Sequence, residues 1–261
     1  MRKVGGTVLL AIAMAAFTLG QYYCNTDYNE VTGEEQHITL SVADEIAIGL
    51  QSAPEMAARH GGLDPSEQDQ RLVDRVGSQI VRRSAASQTD YRYEFHLLAD
   101  ANTVNAFALP GGQVFITRAL YARLAGIDQL AGVLGHEVGH VVARHSAERI
   151  SQQRLAQGLS GAAVIAGAGE GRGMQTAAMA AVVANLVTMS YGRDQELESD
   201  ALGVRFMTEA GYDPEALIGV MDVLEGASGG SRQPEFFSTH PSPENRRGRI
   251  REAIGRYTAG R

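Results

Sequence analysis

Ile127 to Val142 reads IDQLAGVLGHEVGHVV. Apolar Ile127, Leu130, Ala131, Leu134, Val138, Val141 and Val142 recur at helical spacing, which predicts one buried helix. His136 and His140 stand one turn apart on the same face of that helix, within reach of a single metal ion. Glu137 is the next residue round the helix, beside that face. A buried helix with two imidazoles and a carboxylate must partner them, and a metal supplies one partner.

H-E-x-x-H is the spacing with which zinc peptidases hold their metal, although the pattern also arises by chance in unrelated helices. Zinc brings the pKa of a bound water to about 7, and a carboxylate at the Glu137 position takes its proton. A catalytic zinc needs a third protein ligand. Tyr191 to Gly203, YGRDQELESDALG, offers Glu196, with Asp200 one turn further on. Glu196 is the expected third ligand, and Asp200 the carboxylate that accepts the outer N–H of a ligand histidine, His136 first. Glu198 competes for the ligand role but has no partner four residues on. The plainer alternative is a solvated acidic face made by Asp194, Glu196, Glu198 and Asp200.

With these residues in hand, the chain resembles the zinc metallopeptidase family of HtpX, the CAAX prenyl endopeptidase, the Oma-type mitochondrial peptidase and the periplasmic peptidases BepA and LoiP. The matching stretches are NAFALPGGQVFITRAL (Asn105 to Leu120), LAGVLGHEVGHVVARHSAERIS (Leu130 to Ser151), GRDQELESDALG (Gly192 to Gly203) and STHPSPENR (Ser238 to Arg246). They occur in the family's order across most of residues 40–257, and the chain is most similar to the BepA/LoiP-like branch. The resemblance implies an α+β, zincin-like (gluzincin) domain, mainly helical, with a small β-sheet whose edge strand flanks the H-E-x-x-H helix. It implies one Zn²⁺ per chain on His136, His140 and Glu196, with Glu137 as general base.

Asn105 to Leu109, then Pro110-Gly111-Gly112, then Gln113 to Thr117 reads as strand, turn, strand. In proteins with this kind of site an extended substrate adds to such an edge, here along Asn105, Ala106 and Phe107. His240 precedes Pro241, hence an extended loop position. The resemblance places it near zinc, as an inhibitory fourth ligand or as a catalytic group that stabilises the oxyanion; an ordinary loop histidine is the alternative. Arg246 matches a family arginine that orients this loop or binds substrate carbonyls. His145 falls off the metal face by helical phase and reads as structural. His37, His60 and His96 have no such constellation.

The chain has 261 residues, 44% of them hydrophobic, with a formal charge of −7, which excludes wholesale disorder and disfavours nucleic acid as a partner. Arg2-Lys3 followed by the apolar run Val4 to Leu19 reads as a targeting segment. The expected division is residues 1–20 as signal peptide or N-terminal anchor, 21–40 as an extended linker and 41–261 as the catalytic domain. Cys24 is the only cysteine, and its preceding residues do not make a lipobox. Helices are expected from Ser41 and from Asp64-Pro65, and a strand over Tyr91 to Ala99. Gly158 to Met189 reads as a Gly-rich loop followed by a packed helix; together with Gly226 to Ser238 it is expected to gate the cleft. The resemblance points to a periplasmic or envelope endopeptidase acting on unfolded or unassembled proteins, with outer-membrane assembly machinery as a partner and membrane association through the N-terminus. The alternatives are a peptidase maturing one defined substrate and a chaperone-like assembly factor whose zinc site is blocked by His240.

Overall fold

The computed structural model describes residues 2–167, 190–227 and 234–259. In chain order the first elements are α1 (Arg2–Cys24), β1 (Thr26–Asn29), β2 (Glu34–His37), α2 (Val42–Arg59), α3 (Glu67–Arg83) and a 3₁₀ turn (Ala85–Gln88). Then come β3 (Glu94–Leu98), β4 (Ala106–Leu109), β5 (Gln113–Thr117), α4 (Arg118–Tyr121), α5 (Ile127–Val142) and α6 (His145–Gly167). The last are α7 (Arg193–Ala210), α8 (Ala216–Gly226), α9 (Phe236–Thr239) and α10 (Arg246–Thr258). The contacts divide the chain into two units, Met1–Ser41 with Ser146–Val187, and Val42–His145 with Thr188–Arg261.

The larger unit is built round α5, whose residues from Leu130 to Val142 are all buried. A helix this apolar has no solvent face, so every side must find cover. Helices α3, α7 and α8 and strand β4 supply it. The approach of α7 is the closest. A Cβ on Gly139 would stand 2.9 Å from the Ser199 carbonyl oxygen, and one on Gly203 would stand 3.1 Å from the His136 nitrogen. Small residues at the crossing let the two backbones meet, which brings the functional residues of both helices to one place.

The sheet has the order β3-β5-β4. Strands β3 and β5 run parallel from Glu94↔Gln113 to Leu98↔Thr117, and β4 pairs antiparallel with β5 from Ala106↔Ile116 to Leu109↔Gln113. The hairpin expected over Asn105 to Thr117 is therefore present, with β4 as an outer strand packed on α5. Its turn needs Gly111, which has φ 81° and whose Cβ would stand 2.4 Å from the Ile46 Cα. The outer edge of β3 is closed differently. The Gln70 side chain donates to the Phe95 carbonyl and accepts from the Leu97 N–H, both at 2.8 Å, taking the place of a neighbouring strand.

In the smaller unit, α1 exposes Leu9, Leu10, Ile12 and Phe17, and Gly6–Cys24 is long and apolar enough to cross a membrane. A signal sequence meets the same criterion. The stretch expected to be an extended linker is structured: α1 continues to Cys24, and β1 and β2 form an antiparallel hairpin from Thr26↔His37 to Asn29↔Glu34. Tyr22, Tyr23 and His37 pack ring to ring at its base. Polar composition concealed the hairpin, because most of its side chains face water and the buried one, Gln36, is polar. Gly158 likewise fails to start a loop. Helix α6 runs through it to Gly167, and its missing side chain admits Thr18, whose Cγ2 would lie 2.5 Å from a Cβ there. The remainder of the expected first gate, residues 168–189, and residues 228–233 of the second lie outside the described residues; Phe236 to Thr239 in the second forms one helical turn.

Candidate metal centre

Four side chains converge between α5, α7 and the end of α9. One donor atom each from His136, His140, Glu196 and His240 lies within 4.8 Å of all the others. His136 Nε2 and His140 Nε2 are 3.1 Å apart, His140 Nε2 is 3.4 Å from Glu196 Oε1, and His240 Nδ1 is 3.0 Å from the same oxygen and 3.4 Å from His136 Nε2. Donors held tetrahedrally at about 2.0–2.1 Å from one ion are themselves about 3.3 Å apart. The observed spacing fits such an ion, and so do the donor types. All four residues are buried, with Glu196 and His240 at 0% exposure.

Local structure explains each position. His136 and His140 share a face of α5, and Glu196 sits in the first turn of α7. His240 ends α9, its N–H donating to the Phe236 carbonyl at 2.7 Å, before Pro241 stops the helix. Two aromatic rings wall the cluster: Tyr191 stacks on His140 with centroids 3.8 Å apart, and Phe236 stacks on His240 at 4.3 Å. The Tyr191 N–H donates to the Thr239 carbonyl at 2.9 Å, tying the two walls together.

Glu137 is fully buried, and neither of its oxygens has a hydrogen-bond partner among the described residues. Burial pushes its pKa above the ordinary carboxylate value, against the pull of His240 and His136. Its Oε1 lies 3.6 Å from His240 Nε2, which also has no hydrogen-bond partner among the described residues. Burial opposes charge on His136 too, but Asp200 and Glu196 outweigh it and push that ring up to about 9. Burial would raise the Glu196 pKa, yet the surrounding imidazoles hold it well below the usual range. Orphaned acceptors and carboxylates crowded among imidazoles make a place that a cation would satisfy.

The family model for Peptidase family M48 matches residues 67–254. The chain belongs to peptidase family M48. It is 33% identical over 237 residues to the mitochondrial metalloendopeptidase OMA1 of Schizosaccharomyces pombe, covering 88% of this chain and 67% of that protein. It is 28% identical over 251 residues to the beta-barrel assembly-enhancing protease of Escherichia coli K12, covering 91% of this chain and 50% of that protein. With the OMA1 of Saccharomyces cerevisiae the identity is 32% over 245 residues, covering 86% and 68%. The chain thus spans half to about two thirds of these relatives' length. By family it is a metalloendopeptidase.

Around this M48 centre lies a ring of partners. Asp200 Oδ1 stands 2.9 Å from His136 Nδ1, within ion-pair distance though not aligned as a hydrogen bond. Arg246 grips the same carboxylate with two hydrogen bonds, Nε to Oδ2 at 2.7 Å and Nη2 to Oδ1 at 2.9 Å, and its Nη2 is 3.2 Å from Glu196 Oε2. Arg246, expected to orient the His240 loop or bind substrate carbonyls, is 3% exposed and engaged with Asp200. Asn105 is buried, its backbone paired with Thr117, while Ala106 and Phe107 lie in β4 and are likewise buried. His60 pairs with Asp100, His96 with Gln113, and His37 with the tyrosines of the hairpin base, all apart from the cluster.

Three contributions were not legible in the sequence: the walls made by Tyr191 and by Phe236, and the pairing of His145 with Glu198, whose Nε2 and Oε2 are 3.0 Å apart. A fourth lies further out. Arg144 adopts a left-handed φ of 56°, and both its Nε and Nη2 donate to Glu45 Oε1, at 2.9 and 2.6 Å. Tyr91 donates to the other Glu45 oxygen at 2.9 Å.

Proposed function

We propose that the chain is a zinc endopeptidase of the cell envelope, in which His136, His140 and Glu196 hold one Zn²⁺ and Glu137 is the general base. The observation that carries this is a buried carboxylate with no hydrogen-bond partner among the described residues, beside four convergent metal-type donors. Bound there, zinc would polarise the scissile carbonyl and acidify a water. Glu137 takes the proton of the attacking water as its oxygen bonds to the carbonyl carbon. It then returns that proton to the amine nitrogen as the C–N bond breaks. His240 supplies a hydrogen-bond donor for the developing oxyanion. Asp200, held by Arg246, orients His136. An extended substrate backbone adds along Asn105, Ala106 and Phe107 at the outer edge of β4.

Unfolded or unassembled envelope proteins are the proposed substrates. Support comes from relatives named for mitochondrial endopeptidase activity and for enhancing β-barrel assembly. Residues Gly6–Cys24, as signal or anchor, support export to the periplasm.

One observation favours a second reading. His240 is fully buried and lies among the donors, so it also suits a fourth ligand that blocks the position a substrate needs. In that state the protein is a chaperone-like assembly factor until His240 withdraws. Zinc content and casein cleavage, measured on the purified full chain, separate these. One zinc per chain with cleavage lost in Glu137→Gln supports the peptidase, and cleavage raised in His240→Ala supports the self-blocked form. Normal cleavage by Glu137→Gln refutes the mechanism, and absence of zinc refutes the site.

A further inference from the structure

If His140 offers Nε2 to a metal, its Nδ1 must carry the ring proton. That Nδ1 lies 2.8 Å from Nδ1 of His145, a distance at which two imidazole nitrogens share one proton. The pair alone leaves the direction of this hydrogen bond open. Glu198 settles it. Its Oε2 is 3.0 Å from His145 Nε2, and an ionised carboxylate only accepts. With His145 Nε2 donating to Glu198, and His140 Nδ1 carrying the proton that ligation through Nε2 leaves there, His145 Nδ1 is the acceptor and His140 Nδ1 the donor. The lone pair of His140 Nε2 is left facing His136 Nε2 and Glu196 Oε1, at 3.1 and 3.4 Å. The Ser199 hydroxyl, 3.3 Å from His145 Nδ1, closes the α7 side of the pair.

We infer that His145 is a positioning residue, which accepts the Nδ1–H of His140 and so fixes the tautomer and tilt with which His140 faces the metal. The inference rests on the metal reading of the cluster proposed above. The chain takes an unusual route to achieve it. In a continuous helix, residue 145 would lie about 140° round from residue 140, at 100° per residue, and could not reach it. The left-handed Arg144 ends α5 and swings His145 back over His140. Such a conformation is costly for a side chain with a Cβ, and the grip of Glu45 on the Arg144 guanidinium offsets it. His136 and His140 thus have unlike supports: an aspartate held by arginine, and an imidazole held by glutamate.

Two measurements on the full chain test this. Zn²⁺ affinity, read by competition with a chromogenic chelator, is expected to fall roughly 10–100-fold in His145→Phe, which keeps a ring but loses the acceptor. His145→Asn, which keeps an acceptor oxygen, is expected to stay within about threefold of wild type. Two-bond ¹H–¹⁵N spectra of the metal-free wild type should show His140 protonated on Nδ1 and His145 on Nε2. Unchanged affinity in His145→Phe, equal losses in the Phe and Asn variants, or the opposite tautomers would each overturn the inference. Failure of wild type to bind Zn²⁺ would instead strike the metal reading, while the tautomers would still decide the role of His145.

Discussion

Replacing Gly139 by alanine tests whether the α5–α7 approach sets the metal centre. In an open helix this change stabilises, by about 0.5–1 kcal/mol, because alanine loses less backbone freedom on folding. Gly255 in α10 is such a site, exposed and with nothing within 4 Å of its would-be Cβ. Gly255→Ala should therefore raise Tm by about 1–4 °C. At Gly139 the added carbon would stand 2.9 Å from the Ser199 carbonyl oxygen and 3.1 Å from its Cα. Carbon–oxygen contacts settle near 3.3–3.6 Å, so the helices must part by about 0.4 Å or more, and both obstacles are backbone. Overpacking of this kind costs about 1–3 kcal/mol, which exceeds the helical gain. The net expectation is a loss of up to about 2 kcal/mol and a Tm lowered by up to about 8 °C. The same displacement spreads the donors that face each other across the two helices, His140 and His136 on α5 and Glu196 on α7, now 3.4 and 3.5 Å apart. Since metal–ligand distances tolerate about 0.2 Å, Zn²⁺ affinity should fall roughly tenfold or more. Thermal unfolding followed by circular dichroism, with a chelator titration, reads both effects. If Gly139→Ala stabilises as Gly255→Ala does and binds Zn²⁺ as wild type does, the close-approach argument fails.

Gln70→Ala removes the side chain that closes the outer edge of β3; it should cost about 1–2 kcal/mol in urea unfolding and produce concentration-dependent association in light scattering. Glu45→Ala removes the carboxylate that grips the buried Arg144 guanidinium, with an expected cost of about 1.5–3 kcal/mol and weaker Zn²⁺ binding, since the turn to His145 loosens; a Tm and a Zn²⁺ affinity both within error of wild type would refute this. Asp100 gives a pH signature. Partial burial would raise its carboxyl, but hydrogen bonds from Thr103, Asn102 and His60 outweigh that and hold it at about 2, below the unfolded 3.8. A depressed carboxylate stabilises the fold above the unfolded pKa and loses that contribution as pH falls toward 2. With some solvent screening the contribution is on the order of 1 kcal/mol, so wild type should lose more stability than Asp100→Asn between pH 5 and pH 2.5 in urea midpoints.

How much was legible in advance depended on distance along the chain. The buried helix of residues 127–142, the pairing of His136 with His140 on one face, the hairpin over Asn105 to Thr117 and the helix carrying Glu196 and Asp200 were all legible, because periodicity and turn chemistry act over a few residues. The hairpin of β1 and β2 was not, since its strands show no apolar face to reveal their pairing. Nor was the continuation of α6 through Gly158, where glycine serves a close packing and no turn. At the site, the local pattern named the candidate donors but not their surroundings. That Tyr191 stacks on His140, that Arg246 grips Asp200 and that Glu198 stands behind His145 depend on where α5, α7, α9 and α10 meet. Local spacing settles which residues share one helical face. Which groups from distant segments surround them follows from the fold, because a left-handed backbone at Arg144 breaks the phase that periodicity predicts and a glycine-lined crossing sets how closely α7 approaches α5.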